Sequence, residues 1–218
     1  MKKTIIIFLI LLLSILTIAC AEKTTSKKNN KELIDVGGSI ADFIRSYDNT
    51  AELSSESDII FKGKVQSILS RVEDNDVISL VVFDIDNVYK GDKSMKTITI
   101  SIMGGLMDGD EFVHSSIGKM FIEKGASEDE LSSLYSGKNV RFAGFEGEMI
   151  PTEGESYIVF ARNSIVKKDI YYIVGGGYDQ GLLPIIDKNK VEEFNPEKRM
   201  KKVELNNISI DQLIDESK

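Results

Sequence analysis

The sequence has very few of the residues that most often carry covalent cross-links or catalytic chemistry. Its 218 residues include one Cys, one His, three Pro and no Trp. With one Cys, the chain has neither a partner for an internal disulfide nor a set of thiolates for a metal site, so its stability must come from core packing. With one His, any Ser-His-Asp triad or His-rich metal site would have to include His114.

The first 19 residues have the charge and hydrophobicity pattern of a bacterial signal peptide. Lys2 and Lys3 form a short basic region, an apolar stretch follows from Ile5, and a small residue, Ala19, ends the segment. The apolar stretch has about 14 residues, whereas a helix needs roughly 20 to cross a bilayer. This length disfavours the alternative interpretation, a permanent transmembrane anchor.

The residues that end this segment, Leu16-Thr17-Ile18-Ala19-Cys20, resemble the lipobox of bacterial lipoproteins. In that motif a small residue precedes a Cys that receives a diacylglycerol through its sulfur. Thr17 stands where leucine is usual, and Leu16 lies one position earlier. The resemblance implies cleavage after residue 19, acylation of Cys20 and an anchor on the extracytoplasmic face of the cell membrane. Two acyl chains hold a protein stably because each buried methylene contributes about 0.8 kcal/mol.

The charge of the chain is divided unevenly. Removal of residues 1–19, which carry two Lys and no acidic residue, changes the formal net charge from −8 to −10. Residues 20–31 have three excess positive charges and almost no apolar residues, which predicts a flexible tether next to anionic head groups. The remaining residues therefore carry −13. Such an acidic domain is expected to be a poor ligand for nucleic acid.

Hydrophobic periodicity predicts a mainly β fold. The segments 58–65 and 77–88 are rich in β-branched residues, and Ile98, Ile100 and Ile102 alternate with polar residues. Further strands are predicted at 140–143, 157–161, 171–174 and 182–186. A capping-box spacing at Ser127-Glu128-Asp129-Glu130 predicts one short helix up to Tyr135. Short strands with one inserted helix favour a small antiparallel barrel.

This pattern divides the chain into five predicted segments. They are a signal peptide (1–19), an acylated Cys and tether (20–31), a helical lead-in (32–57), a β-barrel domain (58–186) and a C-terminal extension (187–218). The lead-in is based on Ser39 as a helix N-cap before apolar residues at helical spacing. In the extension, Ser209 and Gln212 have the spacing to cap a final helical turn, so a partly helical tail is expected.

Fragments spread over about half of the chain resemble a group of uncharacterised secreted bacterial proteins. The matching fragments are 58–65, 88–91, 98–100, Gly104-Gly105 and 154–160. The layout is also similar to the OB-type barrel of netrin-type modules and of the tissue inhibitors of metalloproteinases, which implies an OB-like barrel here. Those inhibitors reach a catalytic zinc through a disulfide-bonded N-terminal Cys. Because Cys20 is expected to be acylated and has no partner, the resemblance does not imply protease inhibition.

Two groups of residues are candidates for chemistry in the central part of the chain. Asp108, Asp110 and Glu111 surround a Gly with the carboxylates that Ca²⁺ prefers, but without the twelve-residue spacing of an EF-hand. The alternative interpretation is a solvated turn. His114 follows closely, in a segment that contains no known nucleophile motif and reads as an ordinary loop.

Two further patterns have both a chemical and a structural interpretation. The glutamates at 146, 148, 153 and 155 allow the paired carboxylates of a glycosidase or the decoration of a turn, and the chain has no Trp to form a sugar platform. The segment 175–181 resembles a phosphate-binding loop in its glycines, but no Lys or helix-forming segment follows, which favours a β-turn.

These observations favour a membrane-anchored surface lipoprotein that binds a protein, peptide or cell-wall ligand without catalysis, cofactor or metal. Its expected partners are the membrane, through Cys20, and that ligand, but not nucleic acid. The alternative is an extracytoplasmic hydrolase or Ca²⁺-dependent enzyme that uses the Asp108–Glu111 cluster or His114. A substrate-binding lipoprotein of a transporter is disfavoured, because such proteins usually have two lobes larger than about 185 residues allow.

Replacement of the predicted acylation site tests the anchor directly. In a Cys20→Ala variant, we expect the protein to leave the membrane fraction or to accumulate as the uncleaved precursor, because the sulfur that would carry the lipid is gone. Cell fractionation followed by mass measurement distinguishes the two results. A variant that keeps the mature mass and stays in the membrane fraction would contradict the prediction.

Overall fold

A computed structural model describes residues 31–36, 47, 49–143, 150–175, 181–187, 190–192 and 207–209. The predicted signal peptide, Cys20 and the helix expected after Ser39 lie outside this part of the chain. Residues Lys31–Lys218 form one compact unit. Within the described residues, no helix has the length and apolarity needed to cross a membrane.

Most of the regular structure in this part of the chain is β, which confirms the predicted class. Ten strands are described: β1 (Leu33–Val36), β2 (Ile59–Glu73), β3 (Asp76–Lys90), β4 (Thr97–Asp108), β5 (Asn139–Ala143), β6 (Ser156–Asn163), β7 (Ile170–Ile173), β8 (Leu182–Asp187), β9 (Lys190–Glu192) and β10 (Asn207–Ser209). The described helices are α1 (Thr50–Ser55), α2 (Gly109–His114), α3 (Ser116–Glu123) and α4 (Glu128–Tyr135).

The sheet is mixed, so the prediction of a purely antiparallel arrangement needs correction. β2, β3 and β4 form an antiparallel meander, and β6 pairs antiparallel with β2. β7 pairs antiparallel with β6 but parallel with β4, and β1 pairs parallel with β5. The parallel β4–β7 pair arises because a long connection through helices, β5 and β6 returns the chain in the direction of β4. Successive pairings thus lead from β2 through β3, β4, β7 and β6 back to β2.

The largest hydrophobic core is formed by the inward faces of these strands. Phe61 of β2, Phe83 of β3 and Tyr157 of β6 are buried at its centre, where their rings meet edge to face at centroid distances of 5.5 and 6.2 Å. Such aromatic pairs contribute about 0.5–1.5 kcal/mol beyond the burial of their area. The three alternating isoleucines of β4 also lie in this core, which confirms the period-two prediction for that strand.

Helix α1 covers the opposite face of β2 and β6. Asn49 caps the helix by accepting the backbone N–H of Glu52 at 2.9 Å. Leu53 of the helix is fully buried against Ile60 and Phe160. The predicted helical lead-in is therefore only partly helical in its described residues, because β1 precedes α1.

The segment between β4 and β5 contains three helices, whereas the sequence predicted one. The predicted helix is α4, and its capping box is present: the Ser127 hydroxyl accepts the Glu130 N–H, and the Glu130 carboxylate accepts the Ser127 N–H. α2 and α3 are capped by the side chains of Asp108 and Ser115. These two helices are six and eight residues long, too short for hydrophobic periodicity to identify. Together the helices bury Phe112 in a separate core.

Strand β4 changes its partner at Gly104-Gly105. Up to Met103 it pairs with β3, and from Gly104 onward it pairs with β5. Gly105 has a φ of 157°, and a Cβ at this position would lie 2.4 Å from the hydroxyls of both Ser70 and Ser79. The buried Ser79 hydroxyl donates to the carbonyl of Gly104 at 2.8 Å. Glycine is therefore required at position 105 by the close approach of two polar side chains, and Gly104 has a left-handed φ of 82°.

The C-terminal extension begins with strands. β9 pairs with both β8 and β10, so the sheet continues beyond the predicted domain boundary at residue 186. Ser209, predicted as a helix cap, is the last residue of β10, and Gln212 lies outside the described residues. The described residues of the extension are thus extended, and the predicted helix falls beyond them.

Truncation of the central phenylalanine tests the packing of the main core. We expect Phe83→Ala to lower the free energy of unfolding of residues 21–218 by about 3–5 kcal/mol, because the side chain is fully buried and meets two aromatic rings. Leu134→Ala on α4, where the side chain is 54% exposed, is the control and should change stability by less than about 0.5 kcal/mol. Urea unfolding followed by circular dichroism measures both, and equal losses would refute the assignment of the core.

Candidate functional site

His114 is placed at the end of α2, where it does not assemble a catalytic triad. Its side chain is 71% exposed. The Nδ1 atom lies 2.7 Å from the carbonyl oxygen of Asp110, and Nε2 lies 3.9 Å from the carboxylate of Glu128. No Ser or Thr hydroxyl within the described ranges forms a hydrogen bond with the ring. The histidine therefore has the surroundings of a helix C-terminal residue.

The carboxylates after β4 are used to hold α2 in place. Asp108 accepts the N–H of Asp110 at 2.9 Å as the helix N-cap, and the Lys31 ammonium forms an ion pair with it. The hydrogen bond from Lys31, supported by the N–H of Asp110, lowers the pKa of Asp108. The Asp110 carboxylate accepts the hydroxyl of Ser136. Among the described residues, no group of three or more His, Cys, Asp or Glu side chains has the geometry to hold a metal ion.

The described members of the glutamate group fix a turn. Glu153 accepts the backbone N–H of Ile68 at 3.0 Å. The Tyr157 hydroxyl donates to Glu155 at 3.2 Å and accepts the N–H of Thr152 at 3.0 Å. Burial raises the pKa of Tyr157, so this phenol stays a neutral donor. Glu146 and Glu148 of the same predicted group lie outside the described residues.

The ends of the glycine-rich segment have backbone roles. Gly175 follows β7 with a φ of 70°, and the carbonyl of Gly181 accepts the N–H of Phe160 at 2.8 Å. A Cβ on Gly181 would lie 2.3 Å from the carbonyl of Val174. The residues between them, 176–180, lie outside the described part. The β-turn interpretation of this segment therefore stays a prediction.

Strand β3 is apolar on both of its faces. Its inward residues, such as Val81 and Phe83, are fully buried in the main core. The alternate residues Ile78, Leu80 and Val82 point to the opposite side and are only half-buried. A strand with one face on a core and the other in water normally has polar residues on the second face. From Ile78 to Val82 the outward side of β3 is therefore apolar and half-buried, not polar.

Neighbouring strands extend this surface. In the strand register, Leu80 lies between Leu69 of β2 and Ser101 of β4, and Ser101 in turn pairs with Tyr172 of β7. We define the outer face as the apolar side chains Leu69, Ile78, Leu80, Val82, Met103, Ile170 and Tyr172. None of these belongs to a core cluster of the described residues. Thr99 adds a hydroxyl group that is half-buried, and Ser101 one that is buried.

Two hairpin loops border the outer face. The β2–β3 loop turns at Asp74 and Asn75, whose φ values of 51° and 68° are those of a tight two-residue hairpin. The β6–β7 loop covers residues 164–169. The two loops are joined by an ion pair between the Lys167 ammonium and the Glu73 carboxylate, which also accepts from Arg71 at 2.9 Å. The result is an apolar, partly exposed surface between two loops that an ion pair joins.

Comparison with known proteins identifies no relative of this chain. No protein family matches the chain, and neither a curated protein nor a solved structure is significantly similar to it. The interpretation of the outer face therefore depends on its own residues and their arrangement.

The sequence contained a signal for the outer face that period-two analysis alone does not use. Residues 77–88 were predicted as one strand rich in β-branched residues, and the prediction did not separate its two faces. Within it, residues 80–83 form an unbroken apolar run, and because the side chains of a strand alternate, such a run supplies apolar residues to both faces. The residues that β2 and β7 contribute to the outer face have no such signal in the sequence, since only strand pairing brings them beside β3 and β4.

Substitutions of Asp108 separate its capping role from its charge. Asp108→Asn keeps a helix cap but loses the ion pair with Lys31, and we expect it to lower the free energy of unfolding by less than about 1 kcal/mol. Asp108→Ala removes the cap as well and should cost about 1 kcal/mol more. Urea unfolding of residues 21–218 at pH 7 measures both losses.

The acid dependence of the same variants follows from the lowered pKa of Asp108. The charge of this residue stabilises the fold above its ordinary pKa of 3.8, and the contribution is lost as the pH falls through the lowered value. The stability difference between the wild type and Asp108→Asn should therefore shrink as the pH is lowered below about 4. A difference that stays constant between pH 7 and pH 3 would show that the carboxylate charge has no such role.

Proposed function

We propose that the chain is a membrane-anchored bacterial surface lipoprotein whose β domain is an OB-like barrel that binds a ligand without catalysis. The lipobox-like residues around Cys20 support the anchor and an extracytoplasmic location. The apolar outer face supports the binding role. This face is the single observation that carries the functional proposal.

The strand pairing supports an OB-like barrel. In that fold five strands form a partly open Greek-key barrel. Here β2, β3, β4, β6 and β7 supply five strands, and the pairing returns from β7 and β6 to β2. The helices of this chain are inserted between the third and fourth of these strands. This arrangement agrees with the resemblance to netrin-type modules in fold, and it brings no catalytic group with it.

The position of the outer face matches the surface that OB-folds use for ligands. They bind on the second and third strands, between the loop that joins the first two strands and the loop that joins the last two. Those elements are β3, β4 and the two bordering hairpins of this chain. Nucleic acid is disfavoured as the ligand because residues 32–218 carry a formal charge of −13. Apolar side chains with a few hydroxyls suit an extended peptide, from a protein or from the cell wall.

The enzymatic alternative has less support. Its candidate groups are His114 and the Asp108–Glu111 cluster, and both aspartates of that cluster accept hydrogen bonds from the protein itself. A general acid or base needs a proton to transfer and a substrate within hydrogen-bond reach. Neither group lies on the outer face, so a ligand held there would not meet them.

Selection of peptides against the folded domain tests the binding role. A random peptide library displayed on phage would be selected on immobilised residues 21–218, and the enriched peptides would be measured by fluorescence anisotropy. Leu80→Arg and Tyr172→Arg each place a charge in the outer face, and we expect them to weaken binding by at least about tenfold. The matched control is Leu134→Arg on α4, another exposed apolar position, which should bind as the wild type does.

The outcomes of this selection separate the alternatives. Peptides that bind both outer-face variants as tightly as the wild type would place the ligand surface elsewhere. A selection that enriches no peptide would refute the proposed ligand class. Circular dichroism of each variant confirms that a loss of binding is not a loss of folding.

A further inference from the structure

The tip of the β6–β7 hairpin has the two most exposed large apolar side chains of the described residues. Ile165 is 101% exposed and Val166 is 82% exposed, whereas Leu69 of the outer face is 61% exposed. Isolated exposed apolar residues are normal on protein surfaces. Here two adjacent aliphatic side chains have almost no protein contact and project from the end of a hairpin.

The tip is held in a defined turn. The Ser164 hydroxyl accepts the backbone N–H groups of Val166 and Lys167, at 3.1 and 2.7 Å. The N–H of Ser164 donates to the carbonyl of Ile170 at 2.9 Å, and Asp169 has a φ of 60°. The ion pair between Lys167 and Glu73 ties the loop to the neighbouring hairpin. Because the turn already exists, little ordering entropy opposes its binding to a partner.

Basic residues flank the apolar tip in the sequence of an otherwise acidic domain. Arg162 and Lys168 are exposed and have no ion-pair partner among the described residues. Lys167 is paired with Glu73, and Asp169 is the one acidic residue of the loop itself. Aliphatic residues bordered by Lys and Arg are the composition of segments that lie in the head-group region of anionic membranes.

We propose that Ile165 and Val166 insert into the head-group region of the anionic membrane that carries the lipid anchor. The proposal relies on the anchor at Cys20 for proximity: the chain from Cys20 to Lys31 covers at most about 40 Å when fully extended, so the domain stays near the bilayer. Because the anchor keeps the domain at a high effective concentration next to the membrane, a weak contact suffices to orient the domain. Insertion of the tip fixes the adjacent outer face relative to the membrane.

A single tryptophan placed at the tip reports insertion, because the chain has no Trp of its own. The experiment uses residues 21–218, which contain the whole compact unit and lack the anchor, so its result does not depend on Cys20. On addition of phosphatidylglycerol-containing vesicles, Ile165→Trp should show blue-shifted emission and quenching by brominated lipids. Leu134→Trp is the matched control on α4 and should show neither.

Vesicle flotation measures the energetic contribution of the tip. We expect the double variant Ile165→Ser/Val166→Ser to bind anionic vesicles on the order of tenfold more weakly than the wild type, because two aliphatic side chains are removed. Leu134→Ser should bind as the wild type does. Lys168→Glu should weaken binding to anionic vesicles, with a smaller effect on phosphatidylcholine vesicles.

Three results would overturn the proposal. One is an unshifted Trp emission at position 165 in the presence of anionic vesicles. Another is equal flotation of the wild type and the double Ser variant. A third is a concentration-dependent dimer in sedimentation velocity that the double Ser variant abolishes while flotation is unchanged, which would identify a second copy of the chain as the partner of the tip. In each case the Cys20→Ala experiment still decides the anchor separately.

Discussion

The double pairing of β7 is the constraint on which the rest of this structure depends. This strand has four residues, yet it pairs parallel with β4 on one side and antiparallel with β6 on the other. Together with the antiparallel pairing of β6 and β2, it joins the meander of β2, β3 and β4 to the strands that follow the helices. The inward faces of these strands consequently share one core, in which Phe83 contacts both Phe61 and Tyr157.

A helix covers the outward faces of some of these strands but not of others. On β2 and β6 the outward residues Ile60 and Phe160 are covered by α1, so the helix completes a second core. On β3, β4 and β7 no described helix takes that place, and the outer face remains accessible. The asymmetry follows from where the helices are attached. α1 precedes β2, and the other three helices pack around Phe112 at the far end of β4, where it pairs with β5.

The sequence predicted the features of this fold that depend on residues close together in the chain. Alternation identified β4, and the capping box from Ser127 to Glu130 identified α4. It did not predict the parallel pair of β4 and β7, because strand pairing depends on residues about 70 positions apart, and no local pattern encodes that. The short helices α2 and α3 were missed for a local reason: each is capped by one side chain and is too short to show a helical period in its apolar residues.

The candidate site shows the same division. The polar residues considered for chemistry are Asp108, Asp110 and His114, which are close together in the sequence. In the structure they belong to α2: the two aspartates lie at its N-terminal end and the histidine at its C-terminal end. The outer face combines residues of four strands, so its apolar character is visible in β3 alone before the pairing is known. A binding surface made of ordinary strand residues has no motif, whereas a cluster of carboxylates attracts attention even when it only caps a helix.

The parallel pairing of β1 with β5 affects how the domain would respond to a pulling force on its N-terminal end. If the chain is held at Cys20, any drag on the domain is transmitted through its N-terminal end, and β1 is the first described strand to receive it. The backbone hydrogen bonds between parallel strands are evenly spaced and slanted, so a pull along the axis of β1 loads them together instead of opening them one after another. The bidentate ion pair of Arg141 with Asp35 acts across the same two strands. A pull along the axis of β1 would thus shear this pairing, which resists more force than a strand that is peeled away.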